Sequence, residues 1–363
     1  MRIGFRADAS VQIGTGHVMR CLTLADALRE RGAQCRFFCR PHAGHLIDLI
    51  EQRGHHVAIL PTLTGTYEPA AGAPAHSAWL GADCATDAAA TTHALDPVRL
   101  DWMVVDHYAL DKHWEQALRP HCKRLMVIDD LADRQHDCDV LLDQNLGRLA
   151  VDYRRLVPQG ATLLTGPQFA LLRPEFAQLR PVSLARRANP QLGSLLIAMG
   201  GVDKDNVTGQ VLEALQTCEL PDDLQITVVM GPKAPWLEQV KVQAALMRWP
   251  VRVLAGVSDM ARVMTASDLA IGAAGGTSWE RCCLGLPTLV LVLADNQLAG
   301  AMALQNTGAA LAVEAVSDVS KVLNRWLFSD GKEWLYGLSQ AAARVTDGGG
   351  VGRICEHMAV IHG

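Results

Sequence analysis

The 363-residue chain has no apolar run approaching the ~20 residues that cross a bilayer, no C-x-x-C spacing, and no G-x-S-x-G or Walker pattern. The first absence excludes a transmembrane helix. MRIGFRADAS runs straight into a strand, without the apolar core and small-residue cleavage site of a signal peptide, so a cytoplasmic protein is expected. Its ten cysteines are then free thiols in a reducing compartment, several of them small buried hydrophobes within apolar runs. Positive charge is not in excess: the net charge is -5 with both signs interspersed, which argues against a nucleic-acid or membrane partner. The histidine pairs His42/His45 and His55/His56 lack acidic or cysteine partners at ligand spacing and are expected at the surface around a strand end. No metal and no cofactor is expected, and the chain is taken as a monomer.

What is present is apolar residue in quantity, 49% of the chain, enough for two packed cores at this length. In the N-terminal half, short strands alternate with amphipathic helices. Residues 18–31 read as a helix with Val18, Cys21, Leu22, Leu24, Ala25, Ala27 and Leu28 on its apolar side. Residues 61–78, rich in Pro, Gly, Ala and Thr, read as a mobile loop. Residues 166–190, with four prolines after Gly166 and an arginine cluster, read as a linker. Strand–helix alternation then restarts with SLLIAMGG. The pattern predicts an α/β protein of two Rossmann-like domains facing across a cleft, covering residues 1–170 and 190–349.

The chemistry-bearing residues sit at strand-to-helix turns. GTGHVM contributes Gly14, Gly16 and His17, but Met19 stands where a dinucleotide fingerprint needs a small residue, and QCRFFCR ends in arginine rather than an acid. A nicotinamide or flavin role is disfavoured, leaving a turn whose helix-start N–H groups suit an anion or a polar substrate. His17, at a helix start, is biased towards the neutral imidazole that a general base requires. The same position equally suits an N-terminal cap or a packing filler. A second turn, GAAGGTSWE, carries Gly275, Gly276 and Thr277, with Glu280 one turn into the helix. That carboxylate can accept two hydrogen bonds from a ribose diol, or simply offset the helix terminus. Gly200 and Gly201 in AMGGVDKDN have the same strand–glycine–helix form and could close over a diphosphate. Asn296 and Gln297 follow another strand in LADNQ, and Tyr108 follows VVDH.

RADASVQIGTGHVMRCLTLADAL, VVDHYALD, VIDDLADRQHDCDVLLDQN, GPQFALLRPEF, AMGGVD, GAAGGTSWERCCLGLP and ADNQ, in that order, resemble the UDP-2,4-diacetamido-2,4,6-trideoxy-β-L-altropyranose hydrolases of bacterial pseudaminic acid biosynthesis. The resemblance runs through nearly the whole chain and departs from the family mainly at residues 61–78. It implies a GT-B-like fold, similar to the inverting glycosyltransferases that include the enzyme adding N-acetylglucosamine in peptidoglycan synthesis. It implies that water replaces the sugar acceptor, releasing UDP and free sugar with inversion at the anomeric carbon, in a pathway serving flagellin glycosylation. Carried over by motif, His17, Tyr108 and Asn296 are the catalytic residues. Glu280 holds the uridine ribose, and the last helix, about 350–361, packs back onto the first domain. The alternatives are an inverting UDP-sugar glycosyltransferase of the same fold and a non-catalytic sugar-nucleotide binding protein.

Overall fold

Strands buried on both faces of a parallel sheet are near-continuous apolar runs, and LDWMVVD and CKRLMVI have that form. In the computed structural model, which describes residues 1–62, 67–68, 74–95, 97 and 99–362, they lie near the middle of a seven-stranded sheet. Its strands are β1 (Arg2–Ala7), β2 (Gln34–Cys39), β3 (His56–Ile59), β4 (Leu100–Asp106), β5 (Cys122–Ile128), β6 (Val140–Asp143) and β7 (Thr162–Thr165). They are all parallel, in the order β3-β2-β1-β4-β5-β6-β7. The chain therefore reverses its winding direction between β1 and β4, the point where open α/β sheets place ligands.

The helix Gly16–Glu30 comes after β1, burying Val18, Cys21, Leu22, Ala25 and Leu28 against the sheet. It ends where Gly32 turns left-handed at φ +84° and its N–H bonds the Arg29 carbonyl. The helix Gly350–His362 adds Val351, Ile354, Cys355 and Met358 to the same core. It begins so close to the chain that a Cβ on Gly350 would stand 2.3 Å from the Ala170 carbonyl oxygen. Compact unit one accordingly comprises Met1–Leu171 and Gly350–Gly363, and unit two Leu172–Gly349.

Unit two has a six-stranded sheet of β8 (Ser194–Ala198), β9 (Gln225–Met230), β10 (Val251–Ala255), β11 (Leu269–Ala273), β12 (Thr288–Leu291) and β13 (Leu311–Val313). It is again parallel, in the order β10-β9-β8-β11-β12-β13. Its winding reverses between β8 and β11.

Two expectations change, and a third lies partly outside the described residues. Residues 166–190 are not an open linker: Pro174–Arg187 is a helix of unit two. Two of its arginines reach backbone carbonyls near helix ends, Arg180 on Ala343 and Thr346 and Arg187 on Met264 and Ser267. His55 is not at the surface but buried, with Nε2 2.8 Å from Asp26 Oδ1. Of the loop expected at 61–78, residues 63–66 and 69–73 lie outside the described residues, and Ser77–Leu80 form a short 3-10 helix. All ten cysteines are free. No helix among the described residues is long and apolar enough to cross a membrane.

Candidate active site

Ala7 at the end of β1 pairs with Asp106 at the end of β4, so the segment leaving β1 starts beside that carboxylate. This segment is a closed loop. The Gly14 N–H bonds the Ser10 carbonyl at 2.8 Å, and Ser10 Oγ accepts from the N–H groups of Gln12 and Ile13. Gly14 turns at φ +79°, and no atom lies within 4 Å of where a Cβ on Gly14 or Gly16 would stand. The helix then starts without a side-chain cap and without an acidic residue in its first turn.

His17 is buried to 8% exposure, with Nδ1 2.6 Å from Asp106 Oδ1. Arg20, one turn on, donates Nε to Asp106 Oδ2 at 2.6 Å and Nη2 to Oδ1 at 2.7 Å. The same guanidinium donates to both oxygens of Asp130 at 3.0 and 2.8 Å. Tyr108 donates its hydroxyl to Asp130 Oδ2 at 2.7 Å, and its ring meets the His17 ring edge-on at 4.6 Å. Asn145 Nδ2 completes the set on Asp130 Oδ1 at 2.9 Å.

Burial alone would raise Asp106, but the charge of Arg20 and the His17 imidazole outweigh it and hold the carboxyl well below the usual range. Asp130 is lowered against the same burial by Arg20. Burial and the Asp130 charge push Tyr108 far up, so its hydroxyl stays protonated. An ionised Asp106 on Nδ1 fixes the neutral ring with its proton on Nδ1, which makes Nε2 the basic nitrogen. An imidazole oriented in this way by a carboxylate is equipped for general-base work.

In unit two, β11 leads through Gly275 and Gly276 into the helix Thr277–Cys283. Arg281 folds back on this turn, donating Nη2 to the Ala273 carbonyl at 2.7 Å and to Ser278 Oγ at 3.0 Å, and Nη1 to Thr277 Oγ1 at 3.2 Å. The guanidinium lies where a Cβ on Gly272 would be, 2.5 Å away, so β11 needs glycine there. Burial pushes Glu280 up to about 6, against the charges of Arg173 and Arg281. Arg173 Nη2 stands 3.8 Å from it.

Gln297 belongs to this turn. Its Oε1 accepts from the Leu293 N–H at 3.0 Å, and its Nε2 lies 3.9 Å from the Cβ position of Gly275. Asn296 is exposed in the short 3-10 helix Asp295–Gln297. The turn at Gly200 and Gly201 differs from the other two. The helix after it starts only at Val207, and its first N–H groups are taken by Asp203, at 2.8 and 2.9 Å, and by Asn206 at 3.2 Å.

The sequence alone did not bring out Asp106, Arg20 or Asp130. Arg20 lies one helical turn after His17, and Asp106 and Asp130 each come at the end of a strand's apolar run, which is the only signal they carry. Among the described residues, no group of three or more His, Cys, Asp or Glu side chains is placed to hold a metal ion.

Residues 194–326 match the glycosyltransferase family 28 C-terminal domain. Over 304 residues, 82% of the chain, 27% are identical to Uncharacterized protein MJ1062 of Methanocaldococcus jannaschii, of whose length the match spans 56%. Over 297 residues, also 82% of the chain, 25% are identical to the UDP-2,4-diacetamido-2,4,6-trideoxy-beta-L-altropyranose hydrolase of Campylobacter jejuni, covering 93% of that protein. Among solved structures, MurG of Acinetobacter baumannii matches with a TM-score of 0.70 and 16% identity, over 99% of each chain. Together these show a GT-B fold of two Rossmann-like domains and a remote relationship to a sugar-nucleotide family.

Proposed function

We propose that the protein hydrolyses a UDP-linked 2,4-diacetamido-2,4,6-trideoxyhexose to UDP and free sugar, with inversion. The observation that carries the reading is the His17–Asp106 pair at the β1/β4 edge, with Nε2 left as the basic nitrogen. His17 takes a proton from water as the water oxygen bonds to the anomeric carbon. The bond from that carbon to the phosphate oxygen breaks, and UDP leaves with the electron pair. Asp106 stabilises the imidazolium formed in this step. The Tyr108 hydroxyl, which donates to Asp130, keeps lone pairs that can accept from the water. UDP is assigned to unit two: the Gly275–Gly276–Thr277 turn takes phosphate, Glu280 the ribose hydroxyls, and Asn296 and Gln297 the phosphate edge. The match of residues 194–326 to a glycosyltransferase domain favours a second reading, in which the acceptor is an alcohol rather than water.

A single isotope experiment tests the chemistry. One base, beside carboxylates Asp106 and Asp130 that Arg20 already engages, suits a single displacement. Turnover of the UDP-sugar in ¹⁸O-water should put the label in the sugar and none in UDP, and early NMR spectra should show the opposite anomer. Label on the UDP phosphate would mean attack at phosphorus and overturn the assignment of His17. No free sugar, with sugar transferred to an added alcohol, would select the transferase.

Glu280 should serve binding and not chemistry. Glu280→Ala loses charge-assisted hydrogen bonds worth ~1.5–3 kcal/mol, so UDP and the UDP-sugar should both bind roughly 10–100-fold more weakly by calorimetry. Because an ionised carboxylate is the better acceptor, wild-type affinity for the UDP-sugar, whose esterified diphosphate has no group titrating near 6, should also fall as pH drops through about 6, a dependence that Glu280→Ala removes. Unchanged UDP affinity with collapsed turnover would assign Glu280 to the chemistry instead.

A further inference from the structure

Arg20 makes more hydrogen bonds within the His17 cluster than any cap or packing role requires. It joins two carboxylates that stand after different strands, and Nη2 stands 3.4 Å from the His17 ring nitrogen Nδ1. We propose that Arg20 is a positioning residue whose charge, held 3.4 Å from the ring nitrogen by Asp106 and Asp130, keeps His17 a neutral base. The inference rests on His17 being the base of the proposed reaction.

The groups that face His17 decide the sign. Asp106 touches it at the end of β4, and Asp130 acts on it from beyond β5. Tyr108 is held protonated by burial, and His107 is biased neutral by the same cause. His76, beside the 3-10 helix, is likewise held down by burial. Asp143, which Asn145 joins to Asp130 and which burial raises to about 6, titrates in the same range; beside it, Asp106, Asp130 and Arg20 leave one net negative charge around a neutral His17. Removing Arg20 leaves two, and both would stabilise the imidazolium. A charge within ~4–6 Å moves a titration by about one unit or more.

The test uses the full-length protein and two readouts: the midpoint of the His17 imidazole NMR signal, assigned by its loss in His17→Phe, and the low-pH limb of UDP-sugar turnover. In Arg20→Gln both should move up by about one pH unit, costing roughly 10-fold in turnover at pH values below both midpoints and nothing well above them. Arg20→Lys keeps the charge and should restore both. Should Arg20→Gln not fold, as two uncompensated buried carboxylates could cause, the double variant Arg20→Gln/Asp130→Asn returns the net charge to minus one. Its midpoint should lie near the wild-type value. An unmoved midpoint in Arg20→Gln, or one that Arg20→Lys fails to restore, overturns the proposal, as does a midpoint in the double variant displaced by a unit or more. The NMR midpoint needs no turnover. Shifted midpoints in a protein that hydrolyses no UDP-sugar would sink the hydrolase reading and leave the role of Arg20 standing.

Discussion

Replacing His17 by phenylalanine should lower turnover by ~10²–10⁴-fold, the usual worth of a positioned general base, and leave UDP affinity unchanged. Phenylalanine keeps a ring of similar size against the Tyr108 ring, which His17 meets edge-on at 4.6 Å. Asp106 loses one partner but retains both Arg20 hydrogen bonds, so the carboxylate stays compensated and the fold should hold. The nitrogen that accepts the proton from water is the group that disappears. Circular dichroism and UDP calorimetry on the same sample separate this loss from unfolding. Near-wild-type turnover in a folded His17→Phe protein would remove His17 from the chemistry, and with it the reading of the dyad as a base.

His17 could be singled out from sequence because its turn is local: strand, glycine, helix start. The same holds for the second glycine turn, where Gly275 to Glu280 span a few residues. Asp106 was hidden because its partnership with His17 spans 89 residues and depends on β1 lying next to β4, which the alternation of strands and helices does not specify. Arg20 looked like any polar position on an amphipathic helix. The third glycine turn is built differently from the other two. Asp203 and Asn206 in AMGGVDKDN are short polar residues that cap their own helix, which the pattern of strand, glycine and helix cannot distinguish from an open anion site. Proline and arginine enrichment suggests a linker at 166–190, whereas here Pro174 opens a helix, Arg180 and Arg187 bond backbone carbonyls and Arg186 pairs with Asp268.

The largest effect is expected at a residue that touches no substrate atom. Asp106→Asn preserves size and leaves Arg20 anchored to Asp130 at 3.0 and 2.8 Å, so the local geometry should survive. It changes the hydrogen bond that selects the tautomer. A carboxylate only accepts, which places the ring proton on Nδ1 and the lone pair on Nε2. An asparagine amide can turn its NH₂ towards the ring and donate to Nδ1, which moves the proton to Nε2 and removes the base. In a Ser-His-Asp triad the same change costs ~10⁴-fold in turnover, and a loss of that order is expected here, with UDP affinity unaltered. Residues acting as one unit give non-additive losses, so the double variant His17→Phe/Asp106→Asn should be no slower than the slower single variant. If Asp106→Asn cost only a few-fold, or if the two losses multiplied, the carboxylate would be a structural neighbour of His17. The imidazole would then need another explanation for its orientation.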